Sequence, residues 1–564
     1  MGSEDSAQGP GSAASARAWR RPGPAALLGL LIGAGLLLGC AAQISSTQEA
    51  TMTNDLWELA RKRQGDQVFS TLFTAQSVER QLNAEAGIDE AIAWCRQTGV
   101  TKVYVESFRD GLLAQESNLV RARDRFRQAG LEVSGCVTTT RMAKSSEVGW
   151  EMFPCFTHPP TQQQLEEIFR YTARLFDEIM IDDFYCTACE CADCQAGRGS
   201  RSWAQYRLPL MQKMSAERVL GPARAVNPKV RIIIKYPQWY EEFHERGYDV
   251  EVETRLFDRI WVGTESRDMD SRRWGGCATY RPFWIMRWLG QIGAEKCGGG
   301  WYDPYGTHED TYLEQARQTI LGGARESLLF CYPSLLEHTG AANVAALRQE
   351  LPKLFELAAW VKHETPRGIV SYRPMNAPAG EEQYIFDWLG MVGLPVIPAH
   401  EFPAHEKVAC FAFHAKHDRQ FRSKSEAFLG RGGTAIYTES AAAAAGVSET
   451  TKGGYIFGPP RETRAIMQLP PSAIAALRRA ALQPLGLSLE GPVGVALYLF
   501  GDRKVALESF NDQPAEMRLG IRHAGRYRIA LTLGREGAGA RAEGEALIIS
   551  IPPRTLVALE RPAG

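Results

Sequence analysis

The chain has 564 residues, a formal net charge of −1 and 45% hydrophobic residues, enough for two or three domains with a sizeable core. The near-zero charge leaves no electrostatic footprint for nucleic acid, whose binders concentrate Lys and Arg on one face. Thirteen Trp and eighteen Tyr suit a carbohydrate surface, because such rings join a flat apolar face to a polar edge, although most rings of a domain serve its core.

In chain order, the first feature is a targeting pattern rather than a fold element. Arg17, Arg20 and Arg21 precede an apolar run from Ala25 to Gly39 that ends in Leu37-Leu38-Gly39-Cys40. The run is too short to span a bilayer stably. It resembles the lipobox of bacterial lipoproteins, which implies removal of residues 1–39 as a signal peptide and lipidation of Cys40. The resemblance also implies a lipid-anchored place at the bacterial cell envelope, on the outer membrane or the periplasmic face. An ordinary signal peptide or an uncleaved anchor is the alternative, and Arg20-Arg21 leaves twin-arginine export open. Residues 40–65 read as a tether.

From Val68 onward, short apolar strands alternate with amphipathic helices, the pattern of a parallel α/β fold. The expected strands are Val68–Phe73, Lys102–Ser107, Glu132–Thr138, Glu178–Asp182, Val230–Lys235, Arg259–Gly263, Gly298–Tyr302 and Ser327–Cys331. Helical patterns between them include Ile88–Thr98, Gln162–Phe176, Trp203–Ala225 and Thr311–Leu321. Eight such units predict an α/β fold class with a (β/α)8 TIM barrel over residues 66–365. A doubly wound open sheet is the alternative, but no Gly-rich phosphate loop follows the first strand. Residues 366–452 read as a smaller α/β unit, with strands at Val408–Phe413 and Thr434–Thr438. Residues 453–564 alternate with period two and predict a C-terminal antiparallel β-sandwich.

A barrel of this type carries its active residues at the C-terminal ends of its strands. Those positions hold Glu106, Arg109 and Asp110 after the second strand and Arg141 after the third. Asp182 and Asp183 follow the fourth strand, Lys235, Tyr236 and Trp239 the fifth, and Glu265 the sixth. Trp301, Asp303 and Tyr305 follow the seventh, and Glu337 lies beyond the eighth. One mouth would therefore gather carboxylates, aromatic platforms and a few cations. Glycoside hydrolysis needs that inventory: one carboxyl protonates the leaving oxygen, while another attacks the anomeric carbon or activates water. Each residue also has a plain structural use: Asp183 as a helix cap, Glu106 with Arg109 as an ion pair, Glu265 within a solvated charge run.

Cys186-x2-Cys189-x-Cys191-x2-Cys194 is spaced for a tetrahedral thiolate zinc site, and Cys155, in the loop after the third strand, is within reach of it. Disulfides are the alternative in an exported protein.

Taken together, the layout resembles glycoside hydrolase family 42, the β-galactosidase family with a barrel, a flavodoxin-like second domain and a small β domain. That resemblance implies a structural zinc held by Cys155 and Cys189-x-Cys191-x2-Cys194, with Cys186 surplus or replacing Cys155. It implies no organic cofactor, and it makes a homo-oligomer one option. The family's fourth strand ends in Asn-Glu, whereas here Ile181-Asp182-Asp183-Phe184 stands, so β-galactosidase activity is not carried over. An Asp pair at that place is similar to α-galactosidase-type barrels, which use an Asp nucleophile after the fourth strand and a second acid after the sixth. The expected function is thus hydrolysis of an oligo- or polysaccharide by Asp182 or Asp183 with Glu265, in the retaining mode, with Asp303 and then Glu106 as reserve acids. The alternatives are a glycan-binding surface lipoprotein without turnover and a disulfide-stapled envelope protein.

Overall fold

The eight expected strands all form, because β-branched and aromatic side chains dominate them and pack on both faces of a pleated ribbon. They are β1 (Val68–Phe73), β2 (Lys102–Arg109), β3 (Glu132–Val137), β4 (Glu178–Ile181), β5 (Arg231–Tyr236), β6 (Arg259–Gly263), β7 (Cys297–Tyr302) and β8 (Glu326–Leu329). They belong to a computed structural model that describes residues 55–562 except 149, 150, 272 and 274. Cys40 and the signal pattern lie outside the described residues.

β1 pairs in parallel with both β2 and β8, and each remaining strand pairs in parallel with its sequence neighbours, so the sheet closes into a barrel. Its interior is filled by one side chain from each strand: Leu72, Tyr104, Cys136, Met180, Ile233, Trp261, Trp301 and Leu328. The opposite face of each strand packs on the helical layer in a separate, larger core. At the N-terminal mouth, Lys102 Nζ pairs with Glu178 Oε1 at 2.8 Å and Glu326 Oε2 at 3.2 Å, and Ser70, Tyr104 and Ser134 donate to the same two carboxylates. This saturated polar plug leaves the C-terminal mouth as the open end.

Residues 55–62 form a helix whose Leu56, Trp57 and Ala60 are buried in the main core. The last part of the expected tether at 40–65 is therefore part of the fold, because its apolar residues have a surface to cover.

The second unit carries β9 (Ile369–Tyr372), β10 (Val396–Ala399), β11 (Val408–Phe411), β12 (Thr434–Thr438) and β13 (Gly454–Phe457). Their spatial order is β10-β9-β11-β12-β13, all parallel, which is the flavodoxin-like order. β13 lies past the expected boundary at 452, because its pairing with β12 belongs to this sheet. The C-terminal part forms two antiparallel sheets of five and four strands. Pro366–Arg367 pairs with Leu499 and Phe500 in the first of them. Among the described residues no helix is long and apolar enough to cross a membrane.

Candidate active site

Strand alternation decides what the barrel offers at its open end. Side chains two residues apart share a face, so the position two beyond each interior residue also points inward. From Tyr104, Cys136, Met180, Ile233, Trp261, Trp301 and Leu328 this rule leads to Glu106, Thr138, Asp182, Lys235, Gly263, Asp303 and Phe330. Gly263 contributes no side chain, and a Cβ there would lie 2.5 Å from Glu265 Oε2. The glycine thus makes room for the Glu265 carboxyl to fold back over the barrel axis.

Lys235, wholly buried, is the hub. Its Nζ donates to Asp183 Oδ2 at 2.9 Å and to Glu265 Oε1 at 3.0 Å, lies 3.8 Å from Asp182 Oδ1, and sits 3.9 Å over the Trp301 ring. Asp182 accepts from Arg109 Nη2 and from the Asp183 amide at 2.7 Å, and Thr138 Oγ1 lies 3.1 Å from its Oδ2. Arg109 also donates through Nε to Glu106 Oε2 at 2.8 Å, and Glu106 accepts further from Thr138 and, at 2.9 Å, from the Ala75 amide. Arg267 Nη2 pairs with Asp303 Oδ2 at 2.9 Å, and the Tyr305 amide donates to Asp303 Oδ1 at 2.9 Å. Glu265 Oε2 is buried and, among the described residues, has no hydrogen-bond partner.

Laid end to end, the two Lys235 bonds cap the separation of Asp183 Oδ2 and Glu265 Oε1 at about 5.9 Å.

Four carboxyl groups, Glu106, Asp182, Asp183 and Glu265, thus face two permanent cations, Arg109 and Lys235, so full ionisation is electrostatically unfavourable. Burial pushes Asp183 well above the usual carboxylate range; Lys235 opposes this, and Asp182 and Glu265 reinforce it. Burial also raises Glu106, against the pull of Arg109. In Asp182 burial is outweighed by Arg109 and Lys235, and its carboxyl sits below the ordinary value. Asp303 is pushed up to about 6 by burial, opposed by Arg267. Burial would discharge Lys235, but the carboxyl groups around it raise its pKa against that effect.

Above these groups opens a cavity of about 680 Å³, within the usual range for small-molecule sites. Of the expected residues it is lined by Arg109, Asp182, Asp183, Trp239, Glu265, Trp301, Asp303 and Tyr305. Several expectations need correction. Glu106 does not line the cavity but lies wholly buried beneath Arg109, and Lys235 lies below its carboxylates. Tyr236 points outward into the helical core, against Phe243 and Tyr248, because it alternates with Lys235. Asp110 and Arg141 are exposed, in left-handed turns with φ of 51° and 50°. Glu337 is exposed at the start of the helix His338–Val361. None of the last four lines the cavity.

Phe184, Gln238 and Arg267 stand at the same strand ends but were not assigned to the site, and sequence reasoning missed Arg281, Phe330, Tyr384 and Trp388; all seven line the cavity. Phe330 could have been found by the two-residue alternation, since it follows Leu328. Tyr384 and Trp388 belong to the second unit, and no local pattern announces them.

The cysteine cluster lies to one side. The sulfurs of Cys155, Cys189, Cys191 and Cys194 all fall within 4.8 Å of one another. Cys155 is 3.8 Å from Cys191 and 3.6 Å from Cys194, and Cys191 is 3.8 Å from Cys194. A tetrahedral zinc with bonds of about 2.3 Å has sulfur–sulfur edges of about 3.8 Å, so these residues fit the metal. Cys186 is not one of the four; it is buried in the main hydrophobic core. The described cysteines form no disulfide.

The family described as "Probable glycosyl hydrolase, catalytic domain" matches residues 53–364, the barrel with its leading helix. The chain belongs to this family. An uncharacterized protein of Saccharolobus solfataricus is 25% identical over 354 residues, 56% of this chain and 57% of that one, so the match spans less than two thirds of that relative. An α-L-fucosidase isoenzyme 2 from Paenibacillus thiaminolyticus shares 11% identity over 88% of this chain and 99% of its own, with a TM-score of 0.59. Gan42B, a GH42 β-galactosidase from G. stearothermophilus, gives 11% identity, 88% and 98% coverage, and a TM-score of 0.56. At such identity these two show a shared fold, and the resemblance to family 42 holds at that level.

Proposed function

We propose that this chain is a retaining glycoside hydrolase in which Asp183 and Glu265 form the catalytic pair. The carrying observation is that both carboxyls are held by the one Lys235 ammonium, at 2.9 and 3.0 Å, and line the same cavity. Burial raises the Asp183 carboxyl well above the ordinary value, which suits it to be the acid. Glu265 Oε2, without a partner among the described residues, is the nucleophile. Asp183 gives its proton to the leaving glycosidic oxygen as Glu265 Oε2 bonds to the anomeric carbon; Asp183 then takes a proton from water as that water displaces Glu265. Asp182 and Arg109 fix this geometry from below.

The test is product release from a glycan panel by the wild type, Asp183→Asn and Glu265→Gln. Turnover by the wild type and loss of it in both variants supports the pair. Binding by all three without product from any favours a glycan-binding lipoprotein. The likeness to α-galactosidase-type barrels implies the reverse roles, with Asp183 as nucleophile. Azide rescue of the glycine variants separates the two, since the nucleophile variant yields the glycosyl azide of inverted configuration.

Two further assignments belong to this reading. Zinc on Cys155, Cys189, Cys191 and Cys194 would pin the loop after β3 to the loop after β4, beside the catalytic aspartates. Lipidation of Cys40 would place the enzyme at the cell envelope, and its test is palmitate incorporation by the wild type and not by Cys40→Ser.

A further inference from the structure

The barrel alone does not wall the cavity. Tyr384 and Trp388, from the flavodoxin-like unit, also line it. Tyr384 precedes the helix Ile385–Met391 with φ 57° and ψ 23°, a left-handed conformation that a residue with a Cβ avoids. A barrel residue holds it there: Glu241 Oε1 accepts the Tyr384 amide at 2.9 Å. Glu241 is itself buried and fixed by Arg373 and by His414 Nε2 at 3.1 Å. In the helix that follows, the wholly buried Asp387 accepts from Tyr240 Oη at 2.9 Å and from Arg281 Nε at 3.0 Å.

Arg281 completes the arrangement. Its guanidinium lies 3.7 Å over the Tyr384 ring, and the residue is 8% exposed and lines the same cavity. Among the described residues its Nε donates to Asp387 Oδ2, and no protein acceptor is found for its terminal nitrogens.

We propose that Tyr384, Trp388 and Arg281 form a sugar-binding wall of the cavity. The two rings take the apolar face of a pyranose, and the terminal nitrogens of Arg281 donate to its hydroxyl oxygens. The flavodoxin-like unit is then part of the specificity of the site rather than a scaffold beside it. This rests on the hydrolase reading only in taking the ligand to be a glycan.

The test is binding without turnover. Labelled Glu265→Gln protein is applied to a printed array of plant, animal and bacterial glycans, alone and combined with Tyr384→Gly or Trp388→Leu. Glycine suits the positive φ and leucine keeps an apolar side chain in place; thermal melts confirm that both variants fold. The expected result is about a tenfold or greater weakening of the array signals by either change. Unchanged signals overturn the proposal, as does an array on which Glu265→Gln binds nothing. If the signals depend on both rings while the wild type releases no product from the same glycans, this inference stands and the hydrolase reading fails.

Discussion

Asp183 and Glu265 accept hydrogen bonds from the same buried ammonium, that of Lys235, at 2.9 and 3.0 Å. One cation therefore sets both the spacing of the pair and its charge balance, and its removal has consequences for each.

Lys235→Met keeps the shape of the side chain and removes its charge. Breaking a buried pair by removing one partner costs ~3–5 kcal/mol, so chemical denaturation should show a large loss of stability. Losing a preorganised charge at the reacting groups should lower kcat/KM on the order of 10²-fold or more. Retention of wild-type kcat/KM would remove Lys235 from the site.

The same variant carries a signed pH prediction. On the proposed roles activity requires the proton on Asp183, so the rate should fall as pH rises through the raised pKa of that group. Lys235 opposes the rise, and without it Asp183 holds its proton to higher pH. The alkaline limb of the kcat/KM profile should move upward in Lys235→Met; a downward move would contradict the assignment of the proton.

Global stability should depend on pH through buried acids. Burial pushes Glu253 and Glu314 up to about 8, Glu508 and Asp387 to about 7, and Asp303 to about 6. Each binds its proton more tightly folded than unfolded. Their contribution is fully present below the unfolded pKa of about 4 and is lost as pH rises through the folded values. Calorimetry should give a lower thermal midpoint at pH 8.5 than at pH 5.

The cysteine cluster separates two neighbouring thiols. Elemental analysis should find one zinc per chain in the wild type and in Cys186→Ser, and none in Cys194→Ser. A chelator should lower the melting temperature of the wild type but not of Cys194→Ser. Equal metal loss in both serine variants would refute the four-residue set.

Glu241 joins the barrel to the second unit through Arg373 and His414. Glu241→Ala leaves the Arg373 guanidinium buried and unpaired, a change that costs ~3–5 kcal/mol and should appear as a reduced denaturant midpoint.

Much of this architecture was legible in the sequence. All eight barrel strands form within two residues of their expected limits, because alternation of short apolar strands and amphipathic helices leaves few other ways to bury both faces. The strand ends also pointed to three carboxylates that line the cavity, Asp182, Asp183 and Glu265. The errors there arose from treating every polar residue near a strand end alike. Tyr236 alternates with Lys235 and so faces the helices, and Asp110 and Arg141 turn away through left-handed backbone. The four-thiol set likewise needed coordinates, since spacing alone could not choose between Cys155 and Cys186.

The sequence by itself determined the barrel, the two units after it, and which strand ends bear acids, because periodicity is a local property that burial enforces. Only the tertiary structure decided that Lys235 binds Asp183 to Glu265, and that Tyr384 and Trp388 complete the cavity from another unit. Those relationships join residues 30 to 147 positions apart; they are set by how the barrel closes and how the second unit docks on it, which no local pattern encodes.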